Sequence, residues 1–275
     1  NPESDVFVAQ LPAGLNGAAY ARYSRAPGGW KSVVLKEFLG KDGKVNVAHA
    51  DALIERVLVQ YGDDSVGELE GAHLSVENVS NVTVKKIEDG RIGVGYIEQS
   101  SRYVVYDQKD QKGNFRYLRD AKKNPIMESK YRGRYVKDMD AIFEIYTEAV
   151  EPMKDFFKKR KPQSEAKYDI RNLPKTDPNY KKPIGLDECK DEAEVKAWKR
   201  TYNFDIRTKT CDTLRIMLPG ATLTNVGMFC NGRAYEYMIR RMLSSDNPEE
   251  ITVGQHMLDE LKKVVPHYVA RAERD

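Results

Sequence analysis

The densest run of chemistry-bearing residues in this chain is Gln99, Ser100, Ser101 and Arg102, side by side in the stretch "YIEQSSRYVVYD" at 96–107. An amide, two hydroxyls and a guanidinium fork are the donors that phosphate or carboxylate oxygens take up. The same four residues would also serve as a polar turn before a strand, because an apolar-aromatic run follows at once. Their types leave both readings open. Other reactive residues form no comparable group. His49, His73, His256 and His267 are scattered without metal-ligand spacing, so no metal site is expected. Cys189, Cys211 and Cys230 form no CxxC pair, and neither Cys211 nor Cys230 has a neighbouring His, which reads as small buried hydrophobes rather than nucleophiles. The glycines of "GRIGVG" (90–95) faintly suggest a phosphate loop, but no GK[ST] follows and the order strand, glycines, helix is absent. The cluster "KKRK" (158–161) reads as a solvated helix end.

The elements that must position these residues are legible from periodicity. In 47–61, Leu53, Ile54, Val57 and Leu58 share one helical face, and Gly62 ends the run. In 72–78 the pattern alternates, with Ala72, Leu74 and Val76 on one side and His73, Ser75 and Glu77 on the other, as in a half-buried strand. A second strand is expected near 101–107. Residues 126–160 predict a long helix with Tyr135, Met139, Ile142, Phe143, Tyr146 and Val150 as its buried stripe, kinked or divided at Pro152. Residues 161–190 hold Pro162, Pro174, Pro178 and Pro183 among charged residues and predict a surface insertion outside the core. Order returns near 195–218. A last helix, near 248–265, opens at "SSDNPEE", with a cap residue before Pro248 and with Glu249 and Glu250 complementing the helix dipole. Helices and strands interleave without a βαβ rhythm, so the class is α+β, a mixed sheet flanked by long helices in a single domain over 1–275.

Composition sets the boundaries. Apolar residues make up 40% and charged residues 32%, an ordinary globular balance. The net charge of +3, from 45 basic and 42 acidic residues, is too even to argue for non-specific nucleic-acid binding. No apolar stretch approaches the roughly 18 residues of a membrane span. An odd cysteine count without CxxC fits a reduced, cytoplasmic setting. No signal peptide opens the chain, and a first residue of Asn rather than Met fits a trimmed chain or one domain of something longer.

Three segments carry a family likeness. Arg91 is followed, after eight residues, by Ser100-Ser101-Arg102; "LRIMLPGATLTNVGMFCNGRAYEYMIRRML" spans 214–243; and "GDDSVGEL" spans 62–69. Together they resemble the flavin-dependent thymidylate synthases, whose signature is RHR, seven or eight residues, then SxR. Arg215, Leu218, Pro219, Thr224, Asn231 and Arg233 stand where that family carries its "AR(I/V)VLP" segment, a following Thr and "NxR" at a helix head. Gly62, Ser65 and Glu68 match its "GHxSPxEH". The likeness covers roughly 45–110 and 200–265.

The resemblance implies reductive methylation of dUMP to dTMP, with methylenetetrahydrofolate as carbon donor, FAD as hydride carrier and NADPH as its reductant. It implies dUMP binding by Gln99, Ser100, Arg102 and Arg215, and FAD binding by Ser65, Glu68, Arg91, Asn231 and Arg233; it assigns no catalytic residue. It also implies sites shared between chains, hence a homo-oligomer, most simply a tetramer, or a partner domain. The departures fall mainly on the cofactor side: Asp89-Gly90-Arg91 stands for RHR, Asp63 and Leu69 stand for two histidines, and Met242 stands for a helical Arg on the nucleotide side. An alternative function is therefore a catalytically incomplete nucleotide-binding module of the same fold, completed by another domain or subunit.

Overall fold

A computed structural model describes residues 11, 15–27, 29–39, 47–60 and 64–273. Its elements, in chain order, begin with helices α1 (Leu15–Tyr23), α2 (Trp30–Val33, prolonged by a π-helical turn Val34–Phe38), α3 (Val47–Ile54, prolonged by a π-helical turn Glu55–Gln60) and α4 (Asp64–Gly67). Strand β1 (Gly71–Ser80), helix α5 (Asn81–Glu88) and strand β2 (Val94–Glu98) follow, then the long helices α6 (Arg132–Arg160) and α7 (Glu192–Leu214). Strand β3 (Leu223–Asn231) runs into α8 (Gly232–Leu243), α9 (Pro248–Leu261) and α10 (Pro266–Val269). The chain divides into two compact units: one of residues 1–98, 118–128 and 223–275, the other of 99–117 and 129–222.

The first unit is built on a three-stranded sheet in the order β1-β3-β2. Both pairings are antiparallel, which corrects the expectation of a mixed sheet. The period of two is plain in β3, where Thr224, Val226, Met228 and Cys230 are buried and alternate with less buried neighbours. In β1 the expected alternation holds to Val76. An extra residue then enters as a bulge, with Asn78 at φ 53°, and Val79 returns to the buried side. Against this face pack Val84 and Ile87 of α5, Tyr235, Met238 and Ile239 of α8, and Val253, Met257 and Leu258 of α9. The stripe Leu53, Ile54, Val57 and Leu58 joins the same core, as its spacing predicted; Tyr61, Gly62 and Asp63 lie outside the described residues.

The entry to α9 has the expected cap before Pro248 and gives Glu249 a further role. Asn247 caps by accepting from the Glu249 amide. Glu249 is only 2% exposed and accepts from the Ser80 amide (2.8 Å), the Thr83 hydroxyl (2.8 Å) and the Ser80 hydroxyl. It stands in the first turn of α9, as expected, and also ties the start of that helix to the start of α5.

The second unit holds α6 and α7. Phe143, Tyr146 and Val150 are buried on α6, with Tyr135 and Met139 half-buried beside them, as the stripe predicted. The helix runs as one element from Arg132 to Arg160 through Pro152, which is exposed, so it is not divided there. No strand forms at 101–107. The strand lies earlier, at 94–98, and Tyr106, with Val104 and Val105, packs instead into the core around Phe115, Phe143 and Tyr146. The stretch 161–190 is also only partly outside a core. Ala166 and Ile184 are buried; Tyr168 bridges to Ile184; and the Trp198 indole donates to the Ile184 carbonyl (3.0 Å). Ala166, Trp198, Tyr202 and Ile206 form a small core of their own. Proline spacing marked the loop but not the aromatic anchors on α7 that hold its two arms.

Candidate functional site

In the first unit the end of α5, the turn into β2 and the start of α8 converge on a cavity of about 820 Å³. Glu68, Arg91, Asn231 and Arg233 line it. Ser65 does not; it lies exposed on α4, its carbonyl accepting from the Glu68 amide (3.3 Å). Asn231 stands where β3 becomes α8, and its Oδ1 accepts from the Ala234 amide (2.9 Å) as the cap of α8. The Asn231 amide donates to the Gly93 carbonyl (3.0 Å). Gly93 has φ +74°, and a Cβ there would lie 2.5 Å from Asn231 Nδ2, so glycine is demanded twice over. Asn231 thus works first as a structural cap.

The charges of the cavity are mostly spent on one another. Arg233 Nη1 donates to Glu68 Oε1 (2.5 Å). Arg271 donates to Asp64 (2.6 Å) and to Glu236 (2.7 Å). Burial works to lower the Arg271 pKa, yet these hydrogen bonds prevail and hold it raised. Arg240 lies 3.9 Å from Glu236, and Arg241 donates to the Lys86 carbonyl. Asp89 pairs outside the arginine set: a hydrogen bond from Lys85 (2.8 Å) holds its carboxyl below the ordinary range, with Arg241 adding to the effect. Arg91 has no carboxylate partner among the described residues and lies over the Tyr96 ring at 5.7 Å. The Tyr96 hydroxyl donates to the carbonyls of Gly90 (2.7 Å) and Ile87 (2.8 Å), and burial pushes its pKa up to about 12.

Sequence reasoning missed Asp64, Glu236, Tyr237 and Arg271, which share this wall. Glu236 carried a signal, since it lies one turn after Arg233 on a strongly amphipathic helix. Arg271 carried none, because its role depends on where the chain end packs.

The second group, Gln99, Ser100, Arg102 and Arg215, lies in the second unit. Ser100 organises a tight turn: its carbonyl accepts from the Tyr103 (3.0 Å) and Val104 (3.2 Å) amides, and its hydroxyl from the Arg102 amide (3.3 Å). Gln99 Oε1 accepts from Arg116 (3.1 Å). Arg102 is exposed, over the Tyr103 ring at 5.7 Å. Arg215 opens the short helical turn after α7 and pairs with Asp212 (3.1 Å). Among the described residues no hydrogen bond or ion pair joins Arg215 to Ser100 or Arg102. The turn is a donor-rich surface with an accessible guanidinium.

The cysteines match their expected part. Cys211 and Cys230 are buried, and burial pushes the Cys230 thiol up to about 12, far from a reactive thiolate. Among the described residues no group of His, Cys, Asp and Glu is placed to hold a metal ion, and no helix is long and apolar enough to cross a membrane.

The chain resembles known proteins. The family model described as thymidylate synthase complementing protein matches residues 18–267. A UPF0159 protein of Chlamydia muridarum is 34% identical over 99% of this chain and 47% of its own length, and one of Chlamydia pneumoniae is 36% identical with the same coverage. One of Thermoplasma acidophilum is 30% identical over 92% of this chain and 47% of its own length. The chain thus spans about half the length of these curated relatives. A solved structure of a UMP/dUMP methylase, PolB from Streptomyces cacaoi with 5-bromo-dUMP, superposes with a TM-score of 0.52 at 15% identity, covering 96% of this chain and 92% of that one. At that identity the likeness is one of fold.

Proposed function

The chain belongs to the thymidylate synthase complementing protein family, and from that premise we propose that it acts in the methylation of a pyrimidine nucleotide, dUMP to dTMP, as a flavin-dependent thymidylate synthase-like enzyme. The observation that carries the reading is that Glu68, Arg91, Asn231 and Arg233, distant in sequence, line one cavity. Its volume lies in the range of cofactor sites. Arg91, with no carboxylate partner among the described residues, fits a phosphate-bearing group such as FAD, with Arg240 the next most available cation and Tyr237 in the wall beside them. FAD, when bound, would supply the hydride; NADPH and methylenetetrahydrofolate would be co-substrates. The chain's own part there is to hold a cofactor phosphate at Arg91, while the Glu68–Arg233 and Asp64–Arg271–Glu236 pairings keep the wall rigid. On the nucleotide side, Arg102 would take a phosphate with its fork, Ser100 and Gln99 would add short-range donors, and Arg215 would contribute once released from Asp212. UMP/dUMP as the substrate of the structurally similar methylase supports this class of ligand.

A second reading is favoured by a specific observation: the chain spans about half the length of its curated relatives, and most cavity arginines are already neutralised within the chain. In that reading the nucleotide is bound here and the reaction is completed by a partner domain or a second subunit. The uncovered side of the sheet, where Ile97 is 77% exposed beside Phe229, supports a homo-oligomer, with a tetramer as the simplest form. Purification and assay separate the readings. A chain that carries bound flavin and converts dUMP with methylenetetrahydrofolate and NADPH supports the enzyme. A colourless chain that binds dUMP supports the module, and a chain that does neither overturns both.

A further inference from the structure

The even charge of the whole chain conceals a local excess. Within the second unit, a groove of about 1480 Å³ runs along α7 opposite the end of α6. Its cations divide into two kinds. Lys154 and Lys158 on α6 are paired with Glu151 (2.6 Å) and Asp155 (3.0 Å). Lys196, Lys199, Arg200 and Arg207 line the same groove with no ion-pair partner among the described residues. The acids that share it are occupied or at its end: Glu151 holds Lys154, and Asp191 caps α7 by accepting from the Glu194 amide (2.8 Å), with Glu192 beside it. Lys196, Arg200 and Arg207 follow one side of the helix, and at 1.5 Å per residue the row is about 16 Å long. Like charges one turn apart destabilise a helix, and among the described residues no ion pair neutralises this row. An external chain of negative charges would.

A second, independent feature says which polyanion. Beside the basic row, Phe204 (46% exposed) stacks on Tyr103 (45% exposed), with ring centroids 5.6 Å apart and planes at 21°. Arg207 lies over the Phe204 ring at 5.4 Å and Arg102 over the Tyr103 ring at 5.7 Å. Half-exposed rings layered with guanidinium planes are a stacking platform for bases, and a bare row of charge is a track for phosphates. Only a strand with unpaired bases uses both.

We propose that this groove binds single-stranded nucleic acid, with Lys196, Lys199, Arg200 and Arg207 along the phosphates and the Tyr103–Phe204 stack under a base. The inference does not rest on the methylation reading; the two share only Arg102, which lies over the Tyr103 ring, and Ser100 and Arg215 take no part in it.

Fluorescence anisotropy on the full chain decides it, using labelled oligothymidylate and oligouridylate of about ten nucleotides, a duplex of equal length, and inorganic polyphosphate as competitor. The expected result is single-strand binding that weakens roughly fiftyfold between about 50 and 200 mM salt for four phosphate contacts. Phe204→Ala should weaken it at least about fivefold through lost stacking, and Lys199→Glu with Arg200→Glu at least about tenfold, with circular dichroism of both variants unchanged. The two oligomers tell DNA from RNA, and preference for either supports the proposal. Absence of binding by the native chain overturns it, as does undiminished binding by the charge-reversed variant. Equal affinity for duplex, or displacement by polyphosphate together with no effect of Phe204→Ala, leaves charge attraction alone and also overturns it.

Discussion

Gly93 and Asn231 are locked together: the Asn231 amide donates to the Gly93 carbonyl, and the Asn231 side chain fills the space where a Cβ on Gly93 would stand. The contact couples the turn before β2 to the cap of α8, and so sets one wall of the 820 Å³ cavity. Gly93→Ala should lower the unfolding free energy by about 1–3 kcal/mol, since a non-glycine residue at positive φ is strained before the clash is counted. Gly90, with open space around it, is the control, and Gly90→Ala should leave urea denaturation within about 0.5 kcal/mol of the native midpoint stability. Equal effects of the two would show that the close approach is not rigid.

Glu249 is expected to be a structural acid. Its removal strands the Ser80 amide and two buried hydroxyls, each costing roughly 1–3 kcal/mol when unsatisfied. Glu249→Leu should therefore cost about 3 kcal/mol or more by this rule, and Glu249→Gln should recover part of it. Thermal unfolding of the two variants checks the order; a Leu variant as stable as the native chain would contradict it.

Asp205 supplies a pH test. Burial works to raise its pKa, but hydrogen bonds from Lys161 (2.7 Å) and Tyr168 (2.8 Å) prevail and leave it lowered from 3.8. A folded-state pKa below the unfolded value means the unfolded chain binds the proton more tightly, so the contribution is present above the unfolded pKa and lost as pH falls through the folded one. The stability gap between the native chain and Asp205→Asn should be constant from neutral pH down to about pH 5 and close below about pH 4. A gap that widens on acidification would reverse the sign.

Arg102→Ala should weaken dUMP binding at least about thirtyfold if its fork holds the phosphate. Arg102→Lys should recover only part, keeping the charge and losing the fork. Arg160, which lies over the Phe156 ring at the end of α6, is the control, and Arg160→Ala should change little. Calorimetry on the three variants settles the assignment. Equal affinities for the native chain and Arg102→Ala would return "EQSSR" to the role of a polar turn.

What the sequence determined by itself is everything set by near neighbours. The stripe on α6, the face at Leu53–Leu58, the alternation in β1 and the Asn247–Pro248 start of α9 follow from spacing, because a helix or strand repeats its own geometry. The family motifs were legible for the same reason, as short strings. Tertiary structure decided the partners. Whether Val104–Tyr106 would be a strand depended on its packing partners: Tyr106 is buried with Phe115, Phe143 and Tyr146 in the core of the second unit. Whether 161–190 would stay outside a core depended on Trp198 and Tyr202, beyond the end of the loop itself. And the cavity's electrostatics depended on Arg271 reaching Asp64 and Glu236, far apart along the chain. A charge declares its sign in the sequence; which opposite charge neutralises it is a matter of distance, and distance exists only in the folded chain.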